Sequence, residues 1–590
     1  MAAFTSSQSG NFNDPATWGG AGVPGAADSF TITANIVVTV PSGYSATGTA
    51  IFSGGSLQAK AALVVAAGGT FTMVADFNQA SWYRLSVFGT LNLNGFSMTQ
   101  ANNARHFELT IKGTAGNRAQ VISNGTSTGP DMVYTFLYNE WPLEIAYADF
   151  VGLGEIRIPS TANSPFPLYS ITNTVFRNCR QVTLGGFSSN DSVWIIDGVD
   201  VRDSRAVGTM LTVTRDATGA VGAGNPSRLT RLTLAGSATA NAVRWEVENL
   251  EKTQIVLKNV IGTNIKPTPM TNSLVATVGK TGPAALDYGG ITLLADSYVF
   301  TDSDNPHTLI GVPVVDNIVL EATYTTSFSD SGDHFVVPAG NGSFTNSLVL
   351  ESKSGVLVNA IGVARSGNYS ATHNTLVGNY NAAYGALART ESGGTFTGTL
   401  SLQSNLVVNI SATSTAIGMN FQGPADQVTT MDYNAWFNFG NRYSGVTSAT
   451  KTPGVTVGYG GNDLVLASLP AFTDSTRNLA KWGQVHLGTT TAQEVVDAFL
   501  RLNGFNPATG TQDLPAFEHE PADVVTWTKQ GFTVTDAALV ASGHDAQNIG
   551  ILDQAEEPVE PPPASGATTY NLVSPITGSI VGYCVLDLVS

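Results

Sequence analysis

Hydrophobic residues along this chain arrive in short runs broken by Asn, Asp, Gly, Ser and Thr, and seldom at the spacing that marks one face of a helix. Segments such as Arg84-Leu-Ser-Val-Phe and Leu91-Asn-Leu-Asn-Gly alternate with period two, the pattern of a half-buried strand. The N-terminal third is punctuated by Gly55-Ser-Leu, Gly69-Thr-Phe, Gly89-Thr-Leu and Gly113-Thr-Ala, which read as turns feeding strands.

Further along, the punctuation becomes a repeat. Asn317-Ile-Val-Leu, Asn346-Ser-Leu-Val, Asn374-Thr-Leu-Val, Asn405-Leu-Val-Val and Asn434-Ala-Trp-Phe follow one another at intervals of 29, 28, 31 and 29 residues. Asn259-Val-Ile lies two such steps before Asn317, and Asp149-Phe-Val, Asn173-Thr-Val-Phe and Asp197-Gly-Val recur at intervals of 24. Asn and Asp tolerate the left-handed backbone of a sharp corner, and the β-branched residues after them favour a strand. One corner per coil, stacked in register, would bring amides within about 4.8 Å of each other. The pattern therefore predicts a corner ladder of Asn173, Asn259, Asn317, Asn346, Asn374, Asn405 and Asn434.

One helical segment is expected, over 491–504, where Thr491 and Glu494 form a capping pair and Gly504 a stop. It could flank or plug the end of a solenoid. After Ile551 the texture changes. Residues 555–566 are acidic and Pro-rich, an extended linker. Residues 567–590 are strand-like, with apolar positions Tyr570, Leu572, Ile580, Val581, Tyr583, Val585, Leu586 and Leu588 suited to anchoring. This tail can fold back on its own chain, form a homotrimer, or add a strand to a neighbouring protein. The expected plan is a capping lead-in over 1–40, a solenoid over 41–551, then linker and tail.

Composition supports strands and narrows the partners. Charged residues are 12% of the chain, against ~25% in ordinary soluble domains. A net charge of −17 with no basic cluster argues against nucleic acid and leaves a protein or a neutral cell-surface glycan. No apolar run approaches the ~18 residues of a membrane span. Cys179 and Cys584 alone make no disulfide framework. The first residues lack the features of a signal peptide, which fits a virus protein assembled in its host's cytoplasm, or a signal already removed.

The rungs Ile171-Thr-Asn-Thr-Val-Phe-Arg-Asn-Cys179, Thr372-His-Asn-Thr-Leu-Val-Gly-Asn379 and Met431-Asp-Tyr-Asn-Ala-Trp-Phe-Asn438 resemble coils of the pectate-lyase-like right-handed parallel β-helix superfamily. The stretch 531–551 is similar to the terminal coil of such proteins. The opening Gly10-Asn-Phe-Asn-Asp-Pro-Ala-Thr-Trp-Gly-Gly20 is similar to the first strands of bacterial and phage members, with phage virion β-helix proteins the nearest in character. The resemblance implies an all-β fold: a single-stranded right-handed parallel β-helix with one short late helix and a C-terminal extension. It says little about activity, since the fold hosts lyases, hydrolases, adhesins and virion parts.

The motifs of the enzymatic relatives are missing. Asn173-Thr and Asn374-Thr do not continue into Asp, no Asp-Asp pair occurs, and Gly543-His544-Asp545 is the nearest approach to a Gly-His-Gly. Asp197, Asp200 and Asp203 could form a carboxylate group on adjacent coils, though ion pairs with Arg202 and Arg205 are the simpler reading. Asp302-Ser-Asp304 and Asp330-Ser-Gly-Asp333 are the candidate calcium turns, and neither reaches a full ligand count. Among His106, His307, His334, His373, His486, His519 and His544 no two have zinc-site spacing. No catalytic residue, cofactor or metal is assigned. The expectation is a non-enzymatic bacteriophage virion protein, a head or tail decoration or appendage, bound to other virion proteins through its tail. The alternatives are a tailspike-type lyase or glycosidase and a secreted bacterial adhesin.

Overall fold

The computed structural model describes most of residues 2–552 and, beyond them, 568–573 and 580–586; the longest stretches outside the described residues are 215–227, 278–290, 445–459 and 487–504. The described chain falls into two compact units, Met1–Leu552 and Asp553–Ser590.

The first unit is a parallel β-solenoid. Each coil sends one strand into a sharp corner and a second strand out of it, and each strand pairs in parallel with its equivalent one coil later. Tyr169–Arg177 lies in register on Trp194–Arg202, which lies on Arg228–Ala235 and then on Glu251–Lys258. The same stacking runs from Val319–Ala322 through Leu348–Glu351, Thr375–Gly378 and Leu406–Asn409 to Ala435–Phe437 and Leu464–Leu466. A third face is built separately, from eight strands in the first half and six in the second. The interior is filled by one residue in two from each strand: Phe150 stacks on Phe176 at 4.8 Å, and Ile171, Ile196, Leu294, Val315, Phe344, Leu400 and Leu402 are buried with them. Such burial contributes ~1.5–3 kcal/mol per large apolar side chain.

The solenoid begins within the first forty residues. Ala3–Thr5 pairs with Ser29–Thr33, which pairs with Ser45–Ser53. The open end of the core is closed by rings. A short 3₁₀ turn, Pro15–Trp18, capped by the Asp14 carboxylate, sets Trp18 edge-on against Phe12 and Phe30, and the Trp18 Nε1–H donates to the Phe12 carbonyl at 2.8 Å.

At the corner the backbone turns left-handed in coil after coil. Tyr147, Asn173, Gly198, Asn272, Asp296, Asn317, Asn346, His373, Ser404 and Tyr433 all have φ between 46° and 65° and occupy one column of the register. The next residue in each of the later coils, such as Ser347, Asn374, Asn405 or Asn434, points into the protein and is fully buried.

Past the corner the outgoing strands of the later coils are apolar on both faces. Thr375–Gly378 and Leu406–Asn409 are buried at every position. Their outer column, with Tyr298, Val319, Leu348, Leu350, Val377, Leu406, Val408 and Ala435, forms a second core against Val525, Phe532, Val534, Leu539, Ile549 and Ile551. The stretch 531–551, expected as a terminal coil, is therefore a strap across the outer face, because the apolar outer columns need a cover that a further coil on the end would not supply. It is led by the helix Pro521–Gly531, whose Val525, Thr528, Lys529 and, just beyond, Phe532 are buried at helical spacing. The helix expected over 491–504 lies outside the described residues, and so does the linker 555–566. No described helix is long and apolar enough to cross a membrane.

In the second unit, Thr568–Val573 and Ile580–Leu586 form an antiparallel pair, Tyr570 opposite Cys584 and Leu572 opposite Gly582. Six of the anchoring positions besides Tyr570 (Leu572, Ile580, Val581, Tyr583, Val585 and Leu586) lie on these two strands; Leu588 lies outside the described residues.

Candidate functional site

The polar groups that the fold gathers lie along the corner column and where the strap crosses it. Behind the column runs a chain of amides. Asn374 Nδ2 donates to Asn405 Oδ1 at 2.9 Å, and Asn405 Nδ2 to Asn434 Oδ1 at 3.0 Å. Each side-chain oxygen also takes the backbone N–H one coil earlier: Ser347 N–H donates to Asn374 Oδ1, Asn374 N–H to Asn405 Oδ1, Asn405 N–H to Asn434 Oδ1, and Asn434 N–H to Asp463 Oδ1. The second amide proton reaches a main-chain carbonyl, of Phe344, Ala371 or Leu402. In three earlier coils Ser273, Ser297 and Ser347 take this position and in another Ile318 does; Ser347 Oγ accepts from Ile318 N–H and Ser297 Oγ from Ser273 N–H.

Three of the seven predicted ladder residues, Asn374, Asn405 and Asn434, thus make one hydrogen-bonded ladder. Asn317, Asn346 and Asn173 stand one position earlier, in the left-handed column itself, and Asn259 lies outside the described residues. The reason is chemical: left-handed φ favours Asn at one position, and a buried N–H in the next coil favours an amide at its neighbour.

The ladder ends at Asp463. Its Oδ2 accepts Trp436 Nε1–H at 2.8 Å and the Tyr443 hydroxyl. Burial pushes the Asp463 carboxyl upward against these bonds, and Asp432 adds to the push. Burial also raises the Tyr443 hydroxyl, with Asp463 reinforcing it.

The strap reads the outer side of the same column. Ala522 N–H, an orphan donor of the helix's first turn, goes to Asn272 Oδ1 at 2.8 Å. Lys529, fully buried, donates to Asn317 Oδ1; Asn317 in turn donates to Asp296 at 2.6 Å. Burial lowers the Lys529 amine to about 7, with Asp316 and Asp296 partly opposing the shift. Leu552 N–H donates to Asn346 Oδ1, and Ile551 N–H to Thr375 Oγ1.

At the two following coils the column residues are His373 and Ser404. His373 Nδ1 lies 2.9 Å from the Asn548 carbonyl and Nε2 lies 3.0 Å from Asp545 Oδ2. Ser404 Oγ accepts His544 N–H at 2.9 Å and meets His544 Nδ1 at 2.8 Å, while Gly550 N–H donates to the Ser404 carbonyl. The His373 and His544 rings lie 5.5 Å apart. Ligand atoms of His373, His544 and Asp545 all lie within 4.8 Å of one another. Asp545 is held below the usual carboxylate range: burial opposes this, but the Gln547 N–H and then His373 outweigh it. No sequence spacing links these two histidines; folding the strap back brings them together from positions far apart in the chain.

Among the described residues the other candidates are not gathered into a metal-binding group. Asp200 is fully buried in the outer column and Asp197 half-buried; Asp203 and both calcium turns lie outside the described residues. Cys179 is buried with its thiol toward the Phe150 carbonyl. Comparison with family models, with curated proteins and with solved structures finds no match.

Proposed function

We propose that this chain is a structural, non-enzymatic component of a bacteriophage particle, a head or tail appendage in which the solenoid is the stiff body and the terminal unit the attachment. One observation carries the mechanical half of this reading. The polar side chains gathered along the corner column hold coil to coil and strap to coil: amide to amide in the ladder, and Asn272, Asn317, Asn346, His373 and Ser404 to the strap. Groups engaged this way stiffen a body and leave little reorganisation for chemistry. The attachment half is supported by the separate unit 553–590, whose two-stranded pair is too small to be stable alone and gains by pairing with a partner's sheet. The net charge of −17 fits a protein or neutral glycan contact.

The test is to locate the protein in purified particles by mass spectrometry and labelled antibody, and to compare full-length protein with a chain ending at Leu552 for incorporation. Incorporation that requires the terminal unit supports the reading. Absence from particles, or release of oligosaccharides from host capsule by the purified protein, overturns it.

A further inference from the structure

We propose that His373, His544 and Asp545 form a site for one transition-metal ion of the zinc class, which pins the strap to the corner column; the proposal does not rest on the virion reading. The donor set is two imidazoles and a carboxylate, brought together from the solenoid and from the strap. Zinc takes such sets, with bonds of ~2.0–2.2 Å that put tetrahedral ligand atoms about 3.4 Å apart. His373 Nε2 and Asp545 Oδ2 are 3.0 Å apart, and His544 Nδ1 and Asp545 Oδ1 are 3.9 Å apart. These two distances involve different oxygens of Asp545, and with the three donor atoms within 4.8 Å of one another, shifts on the order of an ångström close a common sphere around one ion.

The hydrogen-bond roles call for a cation. The Asn548 carbonyl can only accept, so His373 Nδ1 carries the ring proton. A neutral ring then turns the Nε2 lone pair toward the Asp545 carboxylate, which is also an acceptor. That contact is repulsive unless positive charge lies between the two atoms. An N–H···O=C bond on the far nitrogen is also the orientation that metal-bound histidines adopt. A proton on Nε2 would also satisfy His373, with His544 Nδ1 left on the Ser404 hydroxyl; a metal ion differs in drawing His544 Nδ1 in as a third donor. One metal ion uses all three groups. In binding it, His544 Nδ1 exchanges the Ser404 hydroxyl for the ion, and the hydroxyl keeps the His544 N–H.

His373 has φ 55° in a column where Asn stands at four other described corners and Tyr147, Ser404 and Tyr433 at others. What the imidazole adds at this corner is two ring nitrogens that face the strap.

The test uses full-length protein freed of metal by chelation, titrated with Zn²⁺ against a chromophoric chelator, and melted and protease-treated with and without the ion. Expected are one saturable site per chain, a higher melting temperature with Zn²⁺, and slower cleavage within 536–551. His373→Asn, which installs the residue of neighbouring corners, and Asp545→Asn should each weaken binding by roughly tenfold or more. Both should abolish the zinc-dependent rise in melting temperature while melting near the parent in chelator. His544→Gln, altered on the exposed strap side, provides the check if either fails to fold. No saturable binding, binding unchanged in these variants, or stabilisation that follows acidification rather than zinc overturns the proposal, the last outcome assigning a proton to Nε2.

Discussion

The side-chain oxygen of Asn434 accepts both the backbone N–H and the amide N–H of Asn405, at 3.1 and 3.0 Å, in a fully buried site. The same two-pronged contact joins Asn405 to Asn374. Replacing Asn405 by Ala therefore orphans two donors on Asn374 and the carbonyl of Ala371 as well as removing an amide. Each buried unsatisfied group costs ~1–3 kcal/mol, so Asn405→Ala should destabilise by at least about 3 kcal/mol. The urea unfolding midpoint measures it; a shift no larger than that of a surface Asn→Ala would show that the ladder is incidental.

The left-handed column predicts a gain as well as losses. Tyr433 sits at φ 58° and is half-buried. Non-Gly residues pay ~1–2 kcal/mol for such backbone, Asn least among them. Tyr433→Asn should raise stability by up to about 1 kcal/mol, read as a higher urea midpoint with unchanged slope. A fall of similar size would mean that ring packing, not backbone conformation, sets the preference there.

Much of the fold was legible because coil spacing is a period, and the chain carries it openly from Asn317 to Asn434. The register was legible only to within one residue. Asn346 and Asn374 look equivalent in sequence, yet one turns the backbone and the other bonds to the next coil. Both chemistries prefer Asn, and they act at adjacent positions. The strap was not legible for a different reason. A run such as Leu406-Val-Val is buried on both faces, and periodicity cannot say what lies outside it. The helix Pro521–Gly531 is rich in Val and Thr, poor helix formers, and its contacts with the outer columns override that weakness. Its signals were Pro521 at the start, Asp523 in the first turn and the spacing of Val525, Lys529 and Phe532. The histidine pair left no sequence trace, since it exists only once the strap folds back.

The strap should open before the solenoid. Phe532 is buried among residues of the outer core and packs against Phe472 at 5.5 Å. Phe532→Ala removes that packing at a cost of ~3–5 kcal/mol. Because the strap meets the coils on one face only, the loss should appear as local opening. Hydrogen exchange should quicken in 521–551 and on the outgoing strands Leu348–Glu351 and Leu406–Asn409, while Val121 and Phe150 keep their protection. Uniform quickening along all coils would show that strap and solenoid unfold as one.

Lys529 gives the strap a pH dependence whose sign is fixed by burial. Its amine titrates near 7 in the folded chain, against 10.5 ordinarily, because burial disfavours the charged form more than Asp316 and Asp296 favour it. Between these values the unfolded chain binds a proton that the folded chain does not, so stability rises with pH. The contribution is full above the ordinary value, is lost progressively as pH falls toward 7, and is flat below that. The slope is at most about 1.4 kcal/mol per pH unit. Lys529→Met keeps the stem and removes the titration. Urea midpoints measured at pH 7 and pH 9.5 should therefore show the parent gaining on the variant as pH rises. A constant difference would mean that the amine keeps its ordinary affinity for the proton, held charged by the two aspartates, and that the contact with Asn317 is an ion-supported bond rather than a desolvated one.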